Sequence, residues 1–422
     1  MLVEFSVENF RSFKDKVTFS MLASDDASHE DANVVTMPDG KRLLKSAVIY
    51  GANASGKSNL LMAMDFMSDL LFNSRHMNPS EPINVTPYKL CPEFKDKPSK
   101  FDIVFYCDDV KYAYGFVATR TEITEEYLHR FIDNSDESEN IFTRDRSLPD
   151  EYDFVNVPDP DVLKYLCQFN ADNKLYLSTA VLFNYKDFIN LYNWLCGFRS
   201  YHERDAHRIL GKSYYDNDAA FEKSCVEKAV KWVMGIDVGI TNVSIKDPLL
   251  LFENDASTGN GRRDKYAALL DSIVSSHTVK REDGMSCDVE FNFYDEESEG
   301  TTCFFDMALS IAAKMLLDRI FIVDELDNSM HPHLSKHVVA LFHVKDDNIQ
   351  SQLISTTHDT NLLDLNIFRR DQIWFAEKNP DTGATDIYSL YDFGERRDVD
   401  VEKGYLSGIY GAIPFIGGNL NG

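Results

Sequence analysis

Val3, Phe5 and Val7 alternate with polar residues, and after Asn9-Phe10-Arg11-Ser12-Phe13 the alternation returns at Val17, Phe19 and Met21. A period of two predicts a pair of antiparallel strands. Residues 23–45 are polar and turn-rich and read as a loop. The unbroken apolar run Ala47–Tyr50 then reads as a buried strand, and Asn59–Phe72 as a helix. Pro79, Pro82 and Pro87 interrupt regular structure. Phe101, Ile103 and Phe105 alternate up to Asp108-Asp109, and Val110, Tyr112, Tyr114 and Phe116 alternate away from it, which predicts a hairpin turning at the two aspartates. From about 150 to 235 the spacing becomes helical: one helix over Leu175–Cys196, capped by Asp172 or Asn173, and another over Ala219–Met234. Lys280–Gly284 reads as a second hairpin turn leading into Val289, Phe291 and Phe293. Phe304–Leu317 suits a buried helix, and Ile320–Val323 and Gln352–Thr357 are short apolar strands. Apolar strands alternating with helices predict a parallel sheet covered on both faces, with ligands at the carboxyl ends of its strands. No internal repeat and no long heptad array is visible.

Composition narrows the picture. At 422 residues the chain has room for two or three compact units, and 44% apolar with 27% charged residues describes an ordinary globular protein. With 43 Lys and Arg against 69 Asp and Glu the formal charge is −26, a field that repels nucleic acid and anionic membrane at long range. The basic cluster Arg199, Arg204, Arg208 and Lys212, interleaved with His202 and His207, reads first as a solvated helix face, and direct nucleic-acid binding is left open. Seven scattered cysteines with no C-x-x-C pair argue against zinc ribbons and a secreted disulfide framework. No stretch approaches 18 apolar residues and the first residues open directly into a strand pattern, so a cytoplasmic protein without a membrane span is expected.

The chemistry centres on Gly51-Ala52-Asn53-Ala54-Ser55-Gly56-Lys57-Ser58, a G-x-x-x-x-G-K-S loop between strand and helix. Its glycines allow the loop, Asn53 and Ser55 included, to turn successive N–H groups onto phosphate oxygens; Lys57 reaches the β and γ phosphates, and Ser58 offers a hydroxyl to Mg²⁺. Asp324, at the end of a comparable strand, can complete the Mg²⁺ shell, and Glu325 beside it can orient and deprotonate a water attacking the γ phosphate. His358 ends another such strand, where it can hydrogen-bond the γ phosphate; a structural role is the alternative. His331-Pro332-His333 offers only two ligands and no nearby cysteine, so a metal site there is not expected. No nuclease-type carboxylate cluster or Cys-His catalytic pattern is present.

Taken together these motifs resemble the ATP-binding-cassette class, and in particular its SMC-like branch. Asn9–Phe13 resembles the N-F-R-S-F opening of that branch, which implies that Arg11 lies close to the nucleotide. Glu297-Ser298-Glu299-Gly300-Thr301 stands where the signature belongs, which implies that Ser298 and Gly300 cap the γ phosphate of ATP bound by a second subunit. Asp327–Pro332 resembles the D-loop and His358 the switch histidine. More closely, Glu297–Thr301, Asp324–Pro332, Thr356–Asp359 and Tyr405–Pro414 resemble the AAA-type ATPases of bacterial abortive-infection systems, the AbiL and Rlo group related to the overcoming-lysogenisation-defect proteins. The likeness covers about 1–130 and 275–414 and is thin between. Two departures stand out: Glu299 replaces the glycine that transporters prefer, and no Q-loop glutamine can be placed.

The expected fold is therefore α/β, a P-loop NTPase with an ABC/SMC-like head, an antiparallel β subdomain and an inserted helical lobe. Its expected divisions are 1–149 for the first half of the head, 150–275 for the helical lobe and 276–422 for the second half. The resemblance implies an ATPase that dimerises head to tail around ATP and Mg²⁺ and controls a separately encoded effector, a Toprim-type nuclease, in defence against phage. A slow-turnover ATP-bound scaffold restraining a toxin and a DNA-repair ATPase head are the rival expectations.

Overall fold

The computed structural model describes residues 1–132, 137–201, 219–236, 239–246, 271–328, 330–345, 350–394 and 400–413. Of the sequence features above, His202, Arg204, His207, Arg208, Lys212, Ser329 and Pro414 lie outside them. The chain forms two compact units, one of Met1–Ser200, Ile322–Glu325 and Val339–Gly422, the other of Tyr201–Phe321 and Leu326–Val338. Residues 150–200, grouped by their sequence with the helical lobe, therefore cluster with the first unit.

A five-stranded sheet runs in the order Ile320–Val323, Gln352–Thr356, Ser46–Tyr50, Ile373–Lys378, Thr385–Ser389, and all of it from Ile322 onward in the first strand belongs to the first unit. Both neighbours of the central strand Ser46–Tyr50 run parallel to it, pairing Ile49 with Thr356 on one side and with Trp374 on the other. Every residue of that central strand is buried, as its unbroken apolar run requires. The last strand, Thr385–Ser389, turns back antiparallel at the edge.

A seven-stranded antiparallel sheet begins with the two expected strands, Leu2–Glu8 and Val17–Ser20, paired Phe5 to Phe19 and Val7 to Val17. The hairpin Ser99–Cys107/Val110–Ala118 turns at Asp108 and Asp109, both left-handed at φ 49° and 61°, the two-residue turn whose twist matches the strands. The ring of Phe66, from the helix Lys57–Ser74, lies 4.9 Å from Phe101 and 5.5 Å from Phe10. Phe10 and Phe101 are buried and Phe66 is half-buried against them, so the antiparallel sheet and the helix that follows the glycine loop share one core.

Two expectations are corrected. Residues 23–45 are not simply a loop, because they form the turn of helix Glu30–Asn33 and a hairpin of Val34–Thr36 with Arg42–Leu44. The single helix expected over Leu175–Cys196 is three short pieces, Tyr176–Leu182, Lys186–Phe188 and Ile189–Cys196. Neither Asp172 nor Asn173 caps it: Asp172 pairs with Arg146 and Asn173 donates to the carbonyls of Asn78 and Glu81. The buried Glu126 carboxylate accepts the first amides instead, from Tyr176 at 2.5 Å and Leu177 at 3.0 Å.

In the second unit the strands Ile240–Ile245, Ile273–Lys280 and Ser286–Asn292 form an antiparallel sheet, with the expected turn closed by Gly284 donating to the Arg281 carbonyl. The helices Ala219–Ile236 and Glu299–Leu316 pack through Cys225 against Ala312 and Ala313.

Candidate nucleotide site

The glycine loop leaves the carboxyl end of the central strand and enters the helix Lys57–Ser74. Gly51 has φ 158°, and a Cβ on it would stand 2.5 Å from both the Ala376 carbonyl and Ser55 Oγ. Gly56 has φ 112°, and a Cβ there would stand 2.3 Å from Thr385 Oγ1 and 2.9 Å from Ser12 Oγ. Both ends of the loop thus demand glycine for space as well as for backbone angle. Lys57 is buried, and its ammonium donates to the carbonyls of Gly51 (2.8 Å) and Ala52 (3.2 Å), folded back onto the loop. Ser55 Oγ is buried and has no hydrogen-bond partner among the described residues. Asn53 is exposed at the loop tip, and Ser58 is half-buried in the first helical turn.

The strand Gln352–Thr356 lies between the loop strand and Ile320–Val323, the strand that carries the carboxylates. Two interstrand spacings, roughly 10 Å, therefore separate the carboxylates' strand from that of the loop. Thr356, wholly buried, joins them to the sheet: its hydroxyl donates to Asp324 Oδ1 (2.5 Å) and accepts the Glu325 N–H (2.7 Å). Glu325 stands in the left-handed region at φ 52°, a conformation that costs a non-glycine residue about 1–2 kcal/mol. The Thr356 bond to its amide holds it there, and both carboxylates face solvent. His358 follows the same strand and is exposed, while the next residue accepts a hydrogen bond from the Tyr50 hydroxyl at its carbonyl (3.1 Å).

Arg11 is exposed at φ 51°, in a turn whose Phe10 and Phe13 exchange backbone hydrogen bonds. Its neighbour Ser12 ties the turn to the loop, accepting from Asn59 Nδ2 and Thr385 Oγ1, each at 2.8 Å. The Thr385 hydroxyl also reaches the Ser55 carbonyl, at 2.7 Å. Arg11, Gly51, Asn53, Ser55, Gly56, Lys57, Ser58, Asp324, Glu325 and His358 thus all belong to the first unit. Thr356, Ser12, Asn59 and Thr385 were missed by the sequence reading. Thr356 carried a signal in its place at the Thr356-Thr357-His358 strand end, and Ser12 in the Asn9–Phe13 motif; Thr385 sits on the far edge strand, and nothing local marks it.

Ser298 and Gly300 belong to the second unit. Ser298 is the N-cap of Glu299–Leu316, its hydroxyl accepting the Thr301 amide at 3.1 Å, and it is exposed. The His331 and His333 rings stack 5.2 Å apart. Among the described residues no three His, Cys, Asp or Glu side chains are grouped to hold a metal ion.

The residues present fit a phosphate and a magnesium ion. A glycine-ended loop presents a buried serine hydroxyl without a partner among the described residues, and a lysine on loop carbonyls that anionic oxygens can outcompete. Facing them across the sheet end are carboxylates aimed at solvent; magnesium asks for only one or two such ligands beside waters and phosphate. Residues 46–364, more than half of the chain, match the sequence profile of the family described as "AAA domain, putative AbiEii toxin, Type IV TA system". The chain belongs to this AAA domain family. It is accordingly an AAA-type ATPase domain of mixed α/β architecture built on a P-loop. No curated protein matches the chain. Among solved structures it is similar to an SMC head domain from Thermotoga maritima, with a TM-score of 0.39 and 12% identity over 92% of this chain and 98% of that one. An SMC head bound to the C-winged helix domain of ScpA is similar at a TM-score of 0.38 and 13% identity, over 92% of this chain and 97% of that one. No described helix is long and apolar enough to cross a membrane.

Proposed function

We propose that this AAA-family chain binds ATP with Mg²⁺ and hydrolyses it, and that closure of two copies around the nucleotide regulates a partner. The observation that carries this reading is the joint presence, at carboxyl ends of strands of one sheet, of the P-loop with its buried lysine and of Asp324 and Glu325 gathered by Thr356. The amides of Gly51–Ser58, the Ser55 hydroxyl and Lys57 bind the phosphates, with the dipole of the helix Lys57–Ser74 behind them. Ser58 and Asp324 hold Mg²⁺, which when bound neutralises charge on the β and γ phosphates. Glu325 takes the proton of the attacking water, and His358 hydrogen-bonds the γ phosphate. Arg11, on a turn pinned to the loop through Ser12, meets the nucleotide from the side. Ser298 and Gly300, at an exposed helix N-terminus, reach the γ phosphate of ATP held by a second copy in a head-to-tail dimer.

The test is a pair of variants followed by calorimetry and multiple-turnover ATP hydrolysis. Lys57→Ala is expected to abolish ATP binding, since the loop loses its cation. Glu325→Gln is expected to bind ATP normally and to lose roughly 10²–10⁴ in hydrolysis rate. Parental affinity in a folded Lys57→Ala protein would remove the P-loop assignment, and parental turnover in Glu325→Gln would move the base elsewhere. Negligible turnover in the parental protein itself would favour the ATP-bound scaffold.

At the finer level the chain reads as an AbiL- or Rlo-type ATPase of abortive infection acting in the cytoplasm with a separately encoded Toprim-type nuclease. What supports this is the family description together with the lack, in the sequence, of any effector chemistry beside the P-loop site.

A further inference from the structure

Thr385 is buried at the start of the edge strand Thr385–Ser389, far in sequence from every motif of the site. It pairs with Lys378 across a tight turn in which the Asn379 side chain accepts the amides of Asp381 and Thr382. The Tyr88 hydroxyl donates to the Thr382 carbonyl of the same turn. The strand Ile373–Lys378 pairs with the loop strand only as far as Phe375 opposite Tyr50. Its last residues, and the first of the edge strand, run on past the loop strand and stand beside the P-loop itself. Both ends of the loop face this overhang, Gly51 against the Ala376 carbonyl and Gly56 against Thr385.

From there Thr385 grips the loop and the turn of Arg11 together. Its hydroxyl donates to the Ser55 carbonyl at 2.7 Å and to Ser12 Oγ at 2.8 Å, one proton shared between two acceptors. Its backbone N–H donates to the Ser12 carbonyl at 2.8 Å. Asn59, in the first turn of the P-loop helix, donates to the same Ser12 hydroxyl. The space that Gly56 leaves by lacking a Cβ is the space the Thr385 hydroxyl occupies, so the two residues form one unit. A trans peptide is planar, with its C=O and N–H opposed. With the Ser55 carbonyl held on Thr385, the Gly56 N–H points away from the hairpin, and it meets no acceptor among the described residues. A loop amide turned out in this way beside Lys57 is a donor for an anion.

We propose that Thr385 is a positioning residue of the nucleotide site: its hydroxyl sets the Ser55–Gly56 peptide with the amide toward phosphate, and through Ser12 it sets the turn carrying Arg11. Its ligand rests on the nucleotide reading, whereas the peptide's orientation can be read without nucleotide.

The test uses the full chain. Thr385→Val keeps the shape and removes the hydroxyl, and Thr385→Ser restores it. Serine labelled at its carbonyl carbon and glycine labelled at nitrogen mark only the Ser55–Gly56 and Ser407–Gly408 bonds, the two Ser-Gly pairs of the sequence. In nucleotide-free protein the Ser55–Gly56 resonance is expected to move in Thr385→Val and to return in Thr385→Ser, while Ser407–Gly408 stays in place. By calorimetry Thr385→Val is expected to weaken ATP binding about three- to tenfold, the net value of one hydrogen bond. In steady-state hydrolysis the loss should fall on KM rather than kcat, again with rescue by Thr385→Ser. Should Thr385→Val fail to fold, Thr385→Cys, whose thiol is a weak donor, carries the same comparison. A Ser55–Gly56 resonance that stays put, a shift that Thr385→Ser does not reverse, or parental ATP affinity in Thr385→Val overturns the proposal. A reversible shift in a chain whose parent binds no ATP overturns the nucleotide reading instead, with Thr385 still orienting the peptide.

Discussion

Thr356 shows how much one hydroxyl can decide. It holds Asp324 by its side chain and Glu325 by its backbone, and the left-handed Glu325 depends on that second bond. Thr356→Val keeps the shape and leaves the Glu325 amide without its acceptor and Asp324 without its donor. Such a loss costs about 1–3 kcal/mol where the group is buried and less where water can replace it, as at these exposed carboxylates. Thr356→Val is therefore expected to lower stability by roughly 1 kcal/mol while reducing hydrolysis at least tenfold, with ATP binding in the absence of Mg²⁺ preserved. Urea titration and steady-state hydrolysis check both. A second single-residue prediction concerns His343, which is half-buried with Nε2 2.7 Å from Ser46 Oγ and 3.5 Å from Gln372 Nε2. Burial pushes its pKa down to about 3, helped by the nearby His29 and Lys45. The folded state keeps it neutral, whereas the unfolded chain takes up the proton near pH 6.5. The stability it supplies is thus complete above that pH and is lost as pH falls from about 6.5 toward 3, at about 1.4 kcal/mol per unit. His343→Gln should flatten the stability profile between pH 6.5 and 5 relative to the parent, measured by urea unfolding. An unchanged slope would mean that His343 is protonated in the folded protein.

At the scale of elements, the helix Glu299–Leu316 illustrates a residue with two duties. Ser298 caps it through the Thr301 amide, and the same hydroxyl is the group proposed to meet a second copy's ATP. Ser298→Arg loses the cap, worth about 1 kcal/mol, and places a bulky cation on an exposed N-terminus. ATP binding in cis is expected to survive while hydrolysis falls to the level of an isolated subunit, as read by calorimetry and turnover at increasing protein concentration. Loss of both together would make Ser298 a folding residue only. The broken helix over Leu175–Cys196 makes a different point: its first amides are satisfied by Glu126 on a distant strand, so the helix begins where the carboxylate is and not where a local cap residue stands.

For the whole molecule, a charge of −26 disfavours coating of nucleic acid, and in the proposed function the output passes through a partner instead. ATP-driven closure can govern such a partner only if it binds the two states unequally, and moving a population from 1:99 to 99:1 takes about 5.5 kcal/mol of difference. Co-expression with the adjacent gene product is expected to give a complex, and phage protection is expected to be lost in Glu325→Gln. A neighbour that neither co-purifies nor makes protection depend on the site would leave a stand-alone ATPase.

Much of the site was legible in the chain because the information is local. Gly51–Ser58 is one contiguous loop, Asp324 and Glu325 end a strand that is apolar throughout, and the turn at Asp108-Asp109 lies between two alternating runs. Each is determined within about ten residues by steric and hydrophobic rules. What joins them was not legible. Thr356 meets Asp324 across 32 positions, Glu126 caps Tyr176 across 50, and Thr385 reaches Ser12 across 373. Such pairs carry no periodicity, since a hydroxyl or carboxylate finds its partner only after the sheets have set the register. The sequence by itself determined that a glycine-ended loop, a carboxylate pair and a strand-end histidine exist; folding decided which side chains hold them in place, because residues far apart in the chain meet only once strand order and register bring their polar groups within hydrogen-bond reach.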